Sequence, residues 1–390
     1  MTEKEVYLDN SATTRIRPES LARYVEISTE HFGNASSLHR RGMDAEGAVK
    51  EAREVIGRAL GVRDGYTVFT SGGTESNNLA LFGRALSKGR FRGGRILVGD
   101  GEHSSVSLPL EKLKAQGFEV VTVPTVGGAI DMAALEAAAN EKVILASFML
   151  VNNETGAHYD TAAVKRVLLR KCPQSVLHVD ATQGFLKVPC TVKATGADLI
   201  TLSSHKVSGP KGVGALWISP AVLKEKGILP QAIGGGQENG LRSGTLNVPG
   251  IAAFGAAVAA SLSALTAEME HLASLREYFL DRLYTDEGLA SLRANLPKVA
   301  APHIVSITLS RIKSETMLHH LSGRGIYVSS GSACSSHGGH TSGALRAFGL
   351  TDEEADFTLR VSFGRENVKE DVDALCEGLK DGVSRLQRLR

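Results

Sequence analysis

Asp198-Leu199-Ile200-Thr201-Leu202-Ser203-Ser204-His205-Lys206 decides how this chain is read. Its first half is an apolar, β-branched run, the pattern of a strand buried on both faces, and its second half turns abruptly polar. A lysine placed directly after a buried strand has an amine that is partly desolvated, in need of a partner and able to serve as a nucleophile. Working outward, similar short runs precede it at Tyr66–Thr70, Arg95–Val98, Glu119–Val123, Val143–Phe148 and Val176–Val179. Helical patterns lie between them at Glu75–Leu86, Val106–Gln116, Met132–Asn140 and Thr161–Arg170. Strand–helix alternation predicts a mostly parallel sheet covered on both faces. Gly212–Ser219 follows Lys206 too closely for a helical crossover, so it is expected to pair antiparallel.

An Ala-rich region from Pro249 to Leu283 leads away from this α/β unit. The remainder reads as α+β: strands near His303–Leu309, Ile326–Val328 and Phe357–Phe363, with helices near Ser314–Leu321 and Asn367–Leu389. The expected division is a large unit over residues 15–258 and a small one from 1–14 and 259–390. A chain of 390 residues can bury roughly 75% of its unfolded surface. A formal net charge of +2 gives no basis for direct nucleic-acid or acidic-membrane binding. The charged start and the lack of a long apolar span predict a cytoplasmic protein with no membrane partner, the stretch Ile251–Ala267 reading as a buried helix. Four cysteines, at 172, 190, 334 and 376, show no CxxC pairing and fit reduced thiols. The Arg90–Arg95 cluster reads as a solvated turn.

Ligands of open α/β sheets gather outside the carboxyl ends of the strands. Five such ends carry chemistry here: Gly72-Gly73-Thr74, Glu102-His103, Asn152-Asn153-Glu154, Asp180 with Gln183, and His205-Lys206. Gly72-Gly73-Thr74 opens a helix, whose backbone N–H groups can hold a phosphate, with Ser203 and His205 as further donors. A buried carboxylate at Asp180 suits a pyridinium nitrogen, and Lys206 suits an imine. Together they point to pyridoxal 5′-phosphate (PLP). Cys334 stands apart, among the serines and glycines of Ser329–Ser342, a composition that favours mobility.

These motifs resemble the cysteine desulfurases of the nitrogen-fixation and iron–sulfur-assembly type, within the fold-type-I PLP enzymes. The resemblance runs from Tyr7–Thr14 through Gly33–His39, Thr70–Asn78, Ser203–Gly212, Gly234–Glu238 and Arg242–Thr245 to the Cys334 segment and Leu359–Ser362. It implies a seven-stranded-type, mostly parallel sheet and a homodimer. Lys206 would hold PLP covalently and move the substrate's α-proton, and Asp180 would keep the ring nitrogen protonated. His103 would stack on the ring, while Gln183 and Asn153 bond near the ring oxygen and substrate. Gly73, Thr74, Ser203 and His205 would take the phosphate, with Thr245 reaching in from a second subunit. Arg360 would bind the substrate carboxylate through its planar fork.

The implied reaction turns L-cysteine into L-alanine and leaves a persulfide on Cys334, since a thiolate attacks sulfur far better than a hydroxyl does. From a strand anchor about five residues away, the thiol can travel at most ~17 Å, enough to bridge the site and a docked sulfur acceptor. That acceptor would be an iron–sulfur scaffold or a tRNA-thiolation enzyme. Selenocysteine lysis, another PLP transamination or lysis, and a purely docking role in sulfur transfer are the alternatives. Cys334, His337 and His340 are evenly spaced, yet no fourth ligand is evident and no metal is expected. Ser11 and Ala35 depart from the family's usual alanine and proline, and Thr155–Asp160 lacks its usual Gln-Pro ending.

Overall fold

The computed structural model describes residues 5–87, 93–331 and 342–386. Seven strands form the main sheet: β1 Tyr66–Thr70, β2 Arg95–Gly99, β3 Glu119–Val123, β4 Val143–Met149, β5 Val176–Asp180, β6 Leu199–Ser203 and β7 Gly214–Ile218. They lie in the order β1-β7-β6-β5-β4-β2-β3. Neighbours from β6 to β3 are parallel, and β7 runs antiparallel to both β6 and β1, as its short connection to β6 requires. Gly214, the first residue of β7, is a close approach: a Cβ there would lie 2.5 Å from the backbone of Gly72.

Successive strand residues go to opposite faces. Phe69, Leu97, Phe148, Val179 and Leu202 join one apolar cluster with Val49, Ile56, Leu168 and Phe254. Val68, Ile96, Leu145, Leu199 and Leu216 join another with Leu79, Val106 and Leu110. Each aliphatic side chain so buried contributes about 1.5–3 kcal/mol, which is why strand positions tolerate no polar slip in register.

Two helices escape the sequence reading, Pro18–Thr29 and Arg40–Ala59. Both pack on Val248–Ser263, and the second buries Ala45, Ala48 and Ala52 together with Val49, Val55 and Ile56. The Ala-rich region is not one helix but two, Val248–Ser263 and Leu265–Thr285, bent by 75°. No single described helix is long and apolar enough to cross a membrane. This pair reaches the required length and composition only jointly, and its first member is buried through Ile251, Phe254 and Val258.

A second sheet is antiparallel, in the order Arg293–Asn295, Ile304–Thr308, Thr358–Ser362, Ser329–Ser330. Helices Ser314–Ser322 and Lys369–Leu386 cover it, in an apolar cluster that also takes in Val6 and Leu8. Val6–Tyr7 pairs in parallel with Ile326–Tyr327. Arg90, Phe91 and Arg92 of the expected turn, and Cys334, His337 and His340, lie outside the described residues.

Candidate active site

The carboxyl ends of the parallel strands open into one cavity of about 340 Å³. Gly73, Thr74, His103, Asn153, Asp180, Gln183, Ser203, His205, Lys206 and Arg360 all line it. Gly72, Glu102, Asn152 and Glu154 of the same strand ends lie outside its lining, and two residues given a role from the sequence are also not among its residues. Thr245 is exposed and outside this lining, and Cys334 is not described. Ser11 also lines the cavity, whereas Ala35 packs at the margin of the main core.

Each position follows from its element. Lys206 ends the single 3₁₀ turn that follows β6, and its Nζ donates to the carbonyls of Ser11 and Ala12. Asp180 closes β5 and is buried. Its Oδ1 accepts from the Thr182 backbone N–H at 2.9 Å and its Oδ2 from Asn77 Nδ2 at 2.8 Å. Gln183 Nε2 donates to Ser11 O at 2.9 Å, while Gln183 Oε1 and Ser11 Oγ are buried with no protein partner. His103 caps the helix Ser104–Ala115, its Nδ1 lying 2.8 Å from Ser105 Oγ and 3.1 Å from Ser105 N. Burial holds its pKa below the ordinary histidine value. Asp180 pulls upward and Lys206 downward with smaller force. His205 is pushed down to about 4, first by burial and then by Lys206, Lys211 and Lys187. Both imidazoles are therefore neutral at pH 7.

Arg360 sits inside the strand Thr358–Ser362 and is nearly fully buried. Nη1 donates to Asn153 O at 3.0 Å, and Nη2 donates to Asp9 Oδ1 at 2.8 Å and Ser329 Oγ at 3.0 Å. The guanidinium is thus tethered from three segments, while its Nε has no protein partner. Glu154, beside Asn153, has its pKa pushed up to about 7 by burial, against the opposing pull of the Ser342 hydroxyl and Arg360.

Helix Gly73–Leu86 aims its amino end into the cavity. A Cβ at Gly73 would lie 3.1 Å from Thr182 Oγ1 and 3.6 Å from Ser203 Cβ, so glycine keeps this cradle open for an anion. Cradle, buried carboxylate, lysine and the free acceptor Gln183 Oε1 fit a phosphorylated pyridine aldehyde. The helix end with Ser203 and His205 would hold the phosphate, Asp180 would serve the ring nitrogen and Lys206 the aldehyde.

Sequence reasoning missed Asn77 and Ser105, which also line the cavity. Asn77 lies one turn beyond Gly73, on the same helix face, so the i,i+4 rule was the available signal. Ser105 stands two residues after His103, a usual place for cap chemistry.

The Aminotransferase class-V family model matches residues 6–375. The chain is 38% identical over 384 residues to cysteine desulfurase IscS 1 of Archaeoglobus fulgidus, covering 98% of both chains. Among solved structures, a NifS-like protein superposes with a TM-score of 0.90 at 32% identity, over 98% of this chain and 100% of that one. SspA in complex with cysteine superposes with a TM-score of 0.79 at 30% identity, over 94% of this chain and 100% of that one. A match along nearly the whole sequence, on a sheet whose strand ends assemble the expected lysine and aspartate, places this chain in the class-V aminotransferase family.

Proposed function

We propose that this protein is a PLP-dependent cysteine desulfurase, which converts L-cysteine to L-alanine and passes the sulfur to an acceptor protein. The observation that carries the reading is the convergence of Lys206, Asp180 and Arg360 on one cavity, in a chain similar throughout its length to enzymes of that name. PLP bound there supplies an electron sink for the pair left when the substrate loses its α-proton. Lys206 takes that proton on its amine. Asp180, fixed by Asn77 and Thr182, would hold a proton on the cofactor's ring nitrogen. Arg360 orients the substrate carboxylate, and its buried tethers prevent it from swinging away.

The sulfur is received by Cys334: its thiolate attacks the substrate sulfur, the Cβ–S bond breaks, its electron pair stays with the carbon fragment that is protonated to alanine, and the thiol becomes a persulfide. Support for a homodimer comes from Thr245, which is exposed outside the cavity of its own chain and would serve a second copy's phosphate site. The division into a large unit over 15–258 and a small one from 1–14 and 259–390 is supported by the apolar cluster joining Val6 and Leu8 to residues beyond 272. Cys172, Cys190 and Cys376 are buried free thiols, which supports a reducing, cytoplasmic setting. The acceptor would be an iron–sulfur scaffold or a tRNA-thiolation enzyme.

The test is turnover of L-cysteine with a thiol reductant, following alanine and sulfide together. Equal yields of both are expected, with Cys334→Ala keeping the cofactor's absorbance and losing sulfide. Undiminished sulfide from that variant would defeat the role given to Cys334, and keto-acid formation in place of alanine would defeat the reaction itself.

A further inference from the structure

Asn77, Ser105 and His103 form a hydrogen-bonded chain that ends on Asp180. Asn77 Nδ2 lies 2.8 Å from Asp180 Oδ2 and 2.8 Å from Ser105 Oγ, and Ser105 Oγ lies 2.8 Å from His103 Nδ1. The Ser105 hydroxyl contact with His103 could run either way on its own, and its neighbours choose the direction. A carboxylate oxygen only accepts, so the amide must turn its NH2 toward Asp180, leaving Asn77 Oδ1 without a protein partner. The second N–H of that NH2 is given to Ser105 Oγ. The single hydroxyl hydrogen of Ser105 is then left for His103 Nδ1, which also receives the Ser105 backbone N–H at 3.1 Å. A ring nitrogen facing two donors carries a lone pair.

We propose that Ser105 and Asn77 are positioning residues that lock His103 as the tautomer protonated on Nε2, so that it serves the reaction as a neutral hydrogen-bond donor. The claim about service rests on the desulfurase reading; the tautomer does not. A neutral Nε2–H polarises a partner without surrendering its proton, because Nδ1 has no room for one in exchange. Burial favours the same neutral form, and the charged groups facing the ring are Asp180 at the end of β5 and Lys206 after β6.

The experiment is ¹⁵N NMR of the histidine-labelled holoenzyme, with His103 assigned by loss of its signals in His103→Gln. Wild type should show an unprotonated Nδ1 and a protonated Nε2 at pH 7. In Ser105→Ala the ring loses one donor and the amide loses an acceptor. Tautomer populations should then mix, and the ring's titration midpoint should rise toward the ordinary histidine value. Loss of one hydrogen bond should lower kcat roughly 5–10-fold, with KM little changed. Ser105→Thr, which restores the hydroxyl, should recover both the spectrum and the rate. A protonated Nδ1 in wild type, or shifts and titration unaltered by Ser105→Ala, overturns the proposal. A wild-type chain that makes no alanine sinks the desulfurase reading while leaving the tautomer readable.

Discussion

Lys187 shows what a single buried charge does to this molecule. It follows Leu186, held at a φ of 57°, and its Nζ is buried with no protein partner. Burial, reinforced by Lys206, pushes its pKa down to about 7 from the usual 10.5. Between those two values the unfolded chain binds a proton that the folded chain does not, so stability rises with pH across that window. Replacing it as Lys187→Met keeps the methylene packing and removes the penalty. The variant should be more stable by on the order of 4 kcal/mol at pH 7, and the gap should close as pH climbs toward 10. Thermal unfolding at a series of pH values reads this directly, and a gap independent of pH would refute it. Arg360→Lys tests the opposite case, a charge with partners. A lysine cannot reproduce the fork that meets Asn153, Asp9 and Ser329, so KM for cysteine should rise roughly 10–100-fold with kcat less affected. At this scale Lys206 and Asp180 were legible because charge after a buried strand is conspicuous. For Asn77 the spacing from Gly73 put it on the cavity-facing side of the helix, but its bond to Asp180 depends on which strand that helix packs beside.

The helix Gly73–Leu86 is the element on which cofactor affinity depends. Gly73→Ala improves intrinsic helix propensity by up to ~1 kcal/mol, yet it places a methyl group against Thr182 Oγ1 in the anion cradle. The expected outcome is unchanged or slightly higher thermal stability together with weaker PLP binding, about tenfold by absorbance titration if one amide contact is lost. Equal affinity would show that the phosphate sits elsewhere. The sheet's strands were readable to within a residue or two because each is a short, continuous apolar run. Helices Pro18–Thr29 and Arg40–Ala59 went unread because they precede the strand–helix alternation that begins at Tyr66, and the first of them buries only Ser20 and Ile27. The exit of the Ala-rich region was visible too, but its 75° bend was not, for neither proline nor glycine stands at the break between Ser263 and Leu265.

At the scale of the whole molecule, the amino-terminal segment ties the two sheets together. Asn10 Nδ2 donates to Ser362 O at 3.0 Å and to Asn367 Oδ1 at 3.1 Å, while Ser11 O accepts from Gln183 and Lys206. Asn10→Ala removes two buried hydrogen bonds, although Ser362 O keeps the Asn10 N–H and Asn367 Oδ1 keeps the Gly364 N–H, a cost of about 1–3 kcal/mol at roughly 0.5–1.5 for each bond. Chemical denaturation should detect that loss, and PLP affinity should fall with it, because Ser11 follows Asn10 in the same strap. Stability lost without any change in affinity would mean that the strap holds the fold alone. Spacing in the sequence gave no hint of this tie, which joins residues 352 positions apart.

The cavity wall draws on Ser11, Gly73, His103, Asp180, Lys206 and Arg360, and therefore on nearly the full span of the polypeptide. Within one chain the cavity residues assigned to the cofactor have all been made once Lys206 is reached, whereas the residue assigned to the substrate carboxylate waits for the strand Thr358–Ser362. Half-made copies would lack the group that orients the substrate, so the cavity is a complete site only once both ends of the polypeptide have met.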